Sequence, residues 1–359
     1  MTYKSSLYSE VRSGLFMPSR IAAIACAGLL SVAVSNSADA ALKFTVTTLP
    51  LDSANGINIP GVVVGTALDA SGVEHATKFY HNTATDLGAL PDSTGNTADN
   101  PSQAAAINNS GLTVGLSANA AFNLHAVTFS GSKVTDLGTL GGNNSSAAAV
   151  NEAGKIVGVS DTAANDGTQH AFVWYKGHFT DLGTFSGTGS SQATGINALG
   201  VIVGQSDTAT GETHAFITKQ GKLTDIGTLG GTVSSANGVN VLGAVVGFAF
   251  LPGDQVFHAF AYFNGHMIDI DAKDTGSSSA NAINDLGIIV GQTNIGGNGN
   301  TSAFVYLLGK LIDLNTLINP ALGLTLINAT AINDRGQIVC DALVNSTGAF
   351  ETVLLTPSL

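Results

Sequence analysis

Five histidines and six aspartates are the residues of this chain best equipped for chemistry, and both sets recur in fixed contexts. His75, His125, His170, His214 and His258 each precede an alanine, and Asp86, Asp136, Asp181, Asp225, Asp269 and Asp313 each precede leucine or isoleucine. Clustered imidazoles bind zinc, and convergent carboxylates bind calcium or move protons. The repetition itself opposes a shared site. One histidine per structural unit, always at the same strand position, would be spread around the molecule at no less than the distance between packed sheets, about 10 Å. A structural use fits better: the histidine bonds a neighbouring turn or backbone group, and the aspartate accepts turn or backbone hydrogen bonds. A unique site should instead show as a departure from the repeat.

Three departures stand out. Asp269, Asp271 and Asp274 concentrate carboxylates in one connection and are the candidate Ca²⁺ ligands, although the segment lacks the glycine and the final glutamate of an EF-hand loop. Otherwise no cofactor is expected. Two connections are long: 22 positions separate Asp86 from Asn108, and 20 separate Asp313 from Asn333, against 15 or 16 elsewhere. Loops on a rigid scaffold commonly carry binding, so this edge is the expected ligand patch, with Asp92, Asn96, Asp99 and Asn319 as its polar groups. Trp174, followed by Tyr175 and His178, is the aromatic candidate. It would stack on a sugar or peptide if exposed, and would otherwise serve packing.

The elements that must position these groups are strands. Ile/Val-Asn-x-x-Gly-x-x-Val-Gly recurs seven times, with its asparagine at 58, 108, 151, 197, 240, 284 and 333. Asparagine first and glycine fourth, as in Asn151–Gly154 and Asn197–Gly200, suit a type I turn between two strands. About ten residues later comes the histidine motif, as in His170-Ala171-Phe172 and His214-Ala215-Phe216, with final copies read as Ser302-Ala303-Phe304 and Gly348-Ala349-Phe350. The aspartate motif follows. Each unit parses into four strands; in the third copy these are 147–150, 155–159, 170–175 and 179–182. Four antiparallel strands in about 44 residues is the size of a propeller blade. The first strand, rich in Ser and Ala, would lie innermost. The seventh unit stops after its third strand, and 43–49 resembles a fourth strand. The expected fold is therefore all-β, a seven-bladed β-propeller over 41–359 whose N-terminal strand completes the last blade.

These three in-phase motifs resemble those of the extracellular HAF-repeat family, named for His-Ala-Phe, over 42–356. The chain departs from the signature at Thr77, Val127, Ser302 and Gly348. The resemblance implies a secreted bacterial repeat protein and supplies no agreed catalytic residues.

Composition bounds the rest. Only 11% of residues are charged, the formal net charge is −12, and Arg335 is the sole arginine beyond residue 40. This excludes the basic footprint that drives nucleic-acid binding and disfavours adhesion to anionic lipid. Arg20, the apolar run 21–34 and Ala38-Asp39-Ala40 read as a cleavable secretory signal over 1–40, with Met17 as an alternative start. The run is too short to span a bilayer comfortably. Cleavage would remove Cys26 and leave Cys340, which sits where other copies have glycine and reads as a small buried residue. The expected protein is a secreted or periplasmic monomer that binds a glycan or protein, without enzymatic activity. The alternatives are a glycan-acting hydrolase or lyase and a self-associating envelope or matrix component.

Overall fold

A computed structural model describes residues 42–131, 133–163, 167–294 and 301–358. The signal-peptide assignment and Cys26 lie outside the described residues. The strands form seven four-stranded antiparallel sheets, the blades, six of them wound in chain order a-b-c-d and the seventh drawing its d strand from the start of the described residues. Blade three, for example, comprises Gly141–Val150, Ile156–Thr162, Gln169–Tyr175 and His178–Asp181. Its first strand begins six residues earlier than the sequence suggests, because Gly141 and Ser145 still pair with the second strand across a bulge.

Ring closure follows the expectation. Lys43–Leu49 is the outer strand of blade seven, beside Phe350–Ser358, with Phe44 opposite Pro357 and Val46 opposite Leu355. An edge is thereby covered that would otherwise template foreign strands. The blades pack face to face around cores of Val, Ile, Ala and Phe. Phe172, Phe216, Phe260 and Phe304, from the third motif position of successive blades, are all fully buried. Burying each side chain contributes about 2–3 kcal/mol.

Strand register corrects one assignment. Within blade four, Gly204 lies opposite Phe216. The blade-seven counterpart, Cys340, lies opposite Val353. The true seventh copy of His-Ala-Phe is thus Glu351-Thr352-Val353, not Gly348-Ala349-Phe350. Phe350 is 75% exposed at the start of its strand, whereas the signature phenylalanines are core.

The second strand of six blades carries a glycine where blade seven has Cys340. A Cβ at Gly204 would stand 1.9 Å from the carbonyl oxygen of Gln192, and Gly247 meets Ser235 identically. Each first strand bulges just past this point, pressing its backbone against its neighbour. Blade seven has an extra bulge between Leu326 and Asn328, beside Cys340, and there a side chain fits. Cys340 is fully buried, and burial pushes its thiol well above its ordinary value, so it packs as an unreactive group. Gly204→Ala is expected to cost about 3 kcal/mol or more, since backbone must move. Cys340→Ala is expected to cost about 1 kcal/mol. Urea unfolding of the two variants checks this ordering.

Candidate functional site

The repeated polar residues first build the scaffold. In every blade the turn asparagine ends the innermost strand and is buried. Its Oδ1 accepts the amide of the residue four positions on, as Asn197 does from Val201. Its Nδ2 donates to the carbonyl of the corresponding asparagine in the next blade: Asn58 to Asn108, Asn108 to Asn151, Asn151 to Asn197, Asn197 to Asn240, Asn240 to Asn284 and Asn284 to Asn333. Asn333 then donates to Asn58 at 2.9 Å, and the circle of seven bonds closes. The turn reading was correct but incomplete, because the same side chain also joins blades.

The histidines and aspartates pair within each blade. Nδ1 of His75, His125, His170, His214 and His258 lies 2.8–2.9 Å from a carboxylate oxygen of Asp86, Asp136, Asp181, Asp225 and Asp269 respectively. Since a carboxylate only accepts, Nδ1 is the protonated nitrogen. The aspartate also accepts the backbone amide two positions on, as Asp225 does from Gly227 at 2.7 Å. In blade seven, Thr48 and Glu351 occupy the same two positions and bond at 3.4 Å. A serine of the following blade binds the amide after the histidine. Ser234, for instance, accepts from Ala215 and donates to Gly227. The constant eleven-residue interval from histidine to aspartate was the overlooked sign of this pairing.

The carboxylate-rich departure does not form a metal cage. Asp269 binds His258 and the Asp271 amide, Asp271 accepts from Thr293, and Asp274 accepts from Thr275 and Gly276. Among the described residues no group of three His, Cys, Asp or Glu side chains is arranged to hold a metal ion. Asp271 is nonetheless unusual, since it is buried and burial pushes its carboxyl above the ordinary range. Ionising it in the native state therefore costs stability as pH rises through its raised native value. Below the unfolded value both states are protonated and the cost vanishes. Asp271→Asn retains an acceptor for Thr293 and removes the charge. Its melting temperature is expected to exceed the parent's at about pH 8 and to converge with it near about pH 3. Thermal melts across that range provide the check.

The expected ligand residues fall on the face that carries the b–c turns and d–a connections. Asp92 Oδ1 accepts from Thr94 and Asn96, which holds its carboxyl below the ordinary value, and Asn96 donates to Asp99. Asn319 caps the short 3₁₀ turn Pro320–Leu322 by accepting from Ala321. These groups therefore shape two firm loops. Trp174 lies half-buried against the Phe172 cluster between blades and serves packing.

Apolar residues missed by the sequence reading occupy the same face and sector. Phe350 of blade seven, Leu68 of blade one, and Phe122 and Leu124 of blade two are 75%, 53%, 77% and 41% exposed. Leu322, on the second long connection, is also exposed. Phe122 is the most informative. It occupies the b–c turn position filled by Gly72 in blade one and Gly211 in blade four, and its φ is +61°. A bulky side chain there costs about 1–2 kcal/mol that glycine would not. The alignment of Phe122 with those turn glycines was the available signal.

On the opposite face, the a–b turns surround the mouth of the axis. A cavity of about 300 Å³ opens there. Its neck consists of the last residue of each innermost strand: Ile57, Ile107, Val150, Ile196, Val239, Ile283 and Ile332. Beyond lie the asparagine circle and a rim that includes Glu152, Ala198, Asp285 and Asp334.

No protein-family model and no curated protein sequence matches the chain. Similar solved structures include TolB from Acinetobacter baumannii, 12% identical over 89% of this chain and 97% of that one, with a TM-score of 0.42. The β-propeller domain of the Trilobed protease from Pyrococcus furiosus is 10% identical over 89% and 94%, with a TM-score of 0.47. A lectin from Aleuria aurantia is 12% identical over 87% and 97%, with a TM-score of 0.34. Likeness this distant extends no ligand or activity to the chain. Its assignment as a seven-bladed β-propeller stands on its own strand pairing.

Proposed function

We propose that this protein is an exported, HAF-like bacterial propeller that binds a protein or glycan without catalysis, after signal cleavage near Ala40. Its binding surface is the sector formed by blades seven, one and two on the d–a face. Phe122 carries the reading: an aromatic ring held almost free of the protein, on a backbone conformation that disfavours it, has no stabilising role to explain it. Phe350, Leu68 and Leu124 extend the apolar surface, and the loops of Asp92 and Asn319 border it with polar groups. An apolar centre with a polar rim is the ordinary anatomy of a recognition surface. Among the described residues no helix is long and apolar enough to cross a membrane.

Glycan and protein arrays probed with residues 41–359 test the reading. Phe122→Gly relieves the backbone strain and removes the anchor. It is expected to stabilise the fold by about 1 kcal/mol while weakening capture of the array ligand about tenfold. Shortening the loop over 87–101 should also weaken capture. Undiminished capture by both variants would remove this sector from consideration. Concentration-dependent self-association lost on Phe122→Gly would instead favour the matrix role.

A further inference from the structure

The second departure from sevenfold regularity surrounds the axial cavity. The asparagine circle is invariant, yet the two positions after each asparagine are not. In blades four and five they are Ala198-Leu199 and Val241-Leu242, with Leu199 75% and Leu242 50% exposed. In blades six and seven the first of them is Asp285 and Asp334. Two neighbouring blades thus carry apolar residues here and the next two carry aspartates, while Glu152 of blade three adds a third carboxylate and Ile59 of blade one a further apolar side chain, around a neck of seven branched aliphatic side chains. We propose that this mouth is a second docking site, independent of the d–a face, and that its occupant is an apolar–basic segment of a partner protein. One apolar side chain enters the Ile/Val neck, and an adjacent Lys or Arg reaches Asp285 and Asp334.

Charge complementarity selects this occupant. Asp285 Oδ1 accepts the Val241 amide and Asp334 Oδ1 accepts the Asp285 amide, which fixes both carboxylates in place. Neither belongs to any ion pair among the described residues, and each retains a second oxygen. Arg335, next in sequence to Asp334, is exposed and forms no ion pair with either carboxylate among the described residues. Burial and the neighbouring Asp285 charge both push the Asp334 carboxyl upward, so an incoming cation relieves a repulsion already present. The formal net charge of −12 steers cations in the same direction. The cavity volume is at the lower end for ligand pockets, about 300–1,000 Å³, and suits a side chain rather than a whole cofactor. No aromatic ring lines it, so stacking on a sugar is not served.

The test uses a fluorescein-labelled peptide, Gly-Ser-Gly-Lys-Leu-Lys-Leu-Gly-Ser-Gly, with one control in which Glu replaces Lys and another in which Ser replaces Leu. Fluorescence anisotropy should show the first binding residues 41–359 at least about tenfold more tightly than either control, with affinity falling as salt rises. Asp285→Asn with Asp334→Asn keeps the acceptors of the two structural bonds. That pair and Leu199→Ser with Leu242→Ser should each weaken the peptide about fivefold or more, while Phe122→Gly leaves it unchanged. Equal binding of the three peptides, or binding indifferent to both mouth variants, overturns the proposal. A glycan-array signal lost in the mouth variants, with no peptide preference, also overturns the peptide occupant. Loss of peptide binding on Phe122→Gly would place the peptide on the d–a face instead.

Discussion

Deletion of Lys43–Leu49, so that the chain begins at Pro50, is expected to abolish the folded monomer. Its strand partners are residues 352–358, more than three hundred positions away. Phe44 and Leu49 are buried and pack in two different cores, one between blades six and seven and one between blades seven and one. Their burial alone is worth about 4 kcal/mol, against a total stability of about 5–15 kcal/mol for an ordinary domain. The deletion also bares the edge of Phe350–Ser358, which would recruit strands from other copies. Size-exclusion chromatography should show oligomers or aggregate, and the cooperative thermal transition should broaden or vanish. Supplying the heptapeptide Lys-Phe-Thr-Val-Thr-Thr-Leu in trans should restore part of the monomer. A truncated chain that remains monomeric and melts with the full-length protein would show that this strand is dispensable.

This strand was legible in the sequence because it resembles its counterparts in other blades. In register, Val46-Thr47-Thr48-Leu49 matches Leu223-Thr224-Asp225-Ile226, with Thr48 at the aspartate position, and the seventh unit visibly lacked a fourth strand. Architecture was readable wherever a motif repeats, since each repeat constrains the others. Blade seven was misread at its third strand for the same reason. The letters Ala349-Phe350 matched the signature, whereas the ladder aligns Glu351-Thr352-Val353, and only pairing with Cys340 decides between them. The proposed binding surface was legible in part. Unequal connection lengths point to the face and sector where Phe122, Leu68 and Phe350 stand exposed, but the polar residues chosen there are used by their own turns. What distinguishes Phe122 is a positive φ at a loop tip together with exposure. Composition shows neither, and only superposition on Gly72 and Gly211 would have raised it. The axial mouth was hidden because its rim varies by single residues within turns that otherwise obey the repeat.

The least legible feature is the circle of asparagine bonds, because each joins residues 43–50 positions apart along the chain, or 275 at the closure. Local sequence explains the asparagine by its turn alone, and that explanation makes a different prediction from the circle. If the turn were the whole role, aspartate would substitute well, since its carboxylate accepts the same amide. The circle predicts the reverse. Asn197→Asp would set a carboxylate oxygen against the Asn240 carbonyl, which now receives Nδ2 at 2.8 Å, in a site only 5% exposed. Asn197→Ala leaves one amide and one carbonyl unpaired, at about 1–3 kcal/mol each. We therefore expect Asn197→Ala to lose about 3 kcal/mol, and Asn197→Asp to lose more than that at neutral pH. Protonation would restore a donor to the aspartate, so its native carboxyl should titrate above its unfolded value. The deficit of Asn197→Asp relative to the parent should then shrink as pH falls through that raised native value. Asn333→Ala should cost a similar amount, because the bond that closes the circle from blade seven to blade one is equivalent to the others. Guanidinium unfolding at several pH values reads all three variants. If Asn197→Asp proved as stable as the parent at neutral pH, the asparagine would be only a turn residue, and blade cohesion would rest on the aliphatic cores alone.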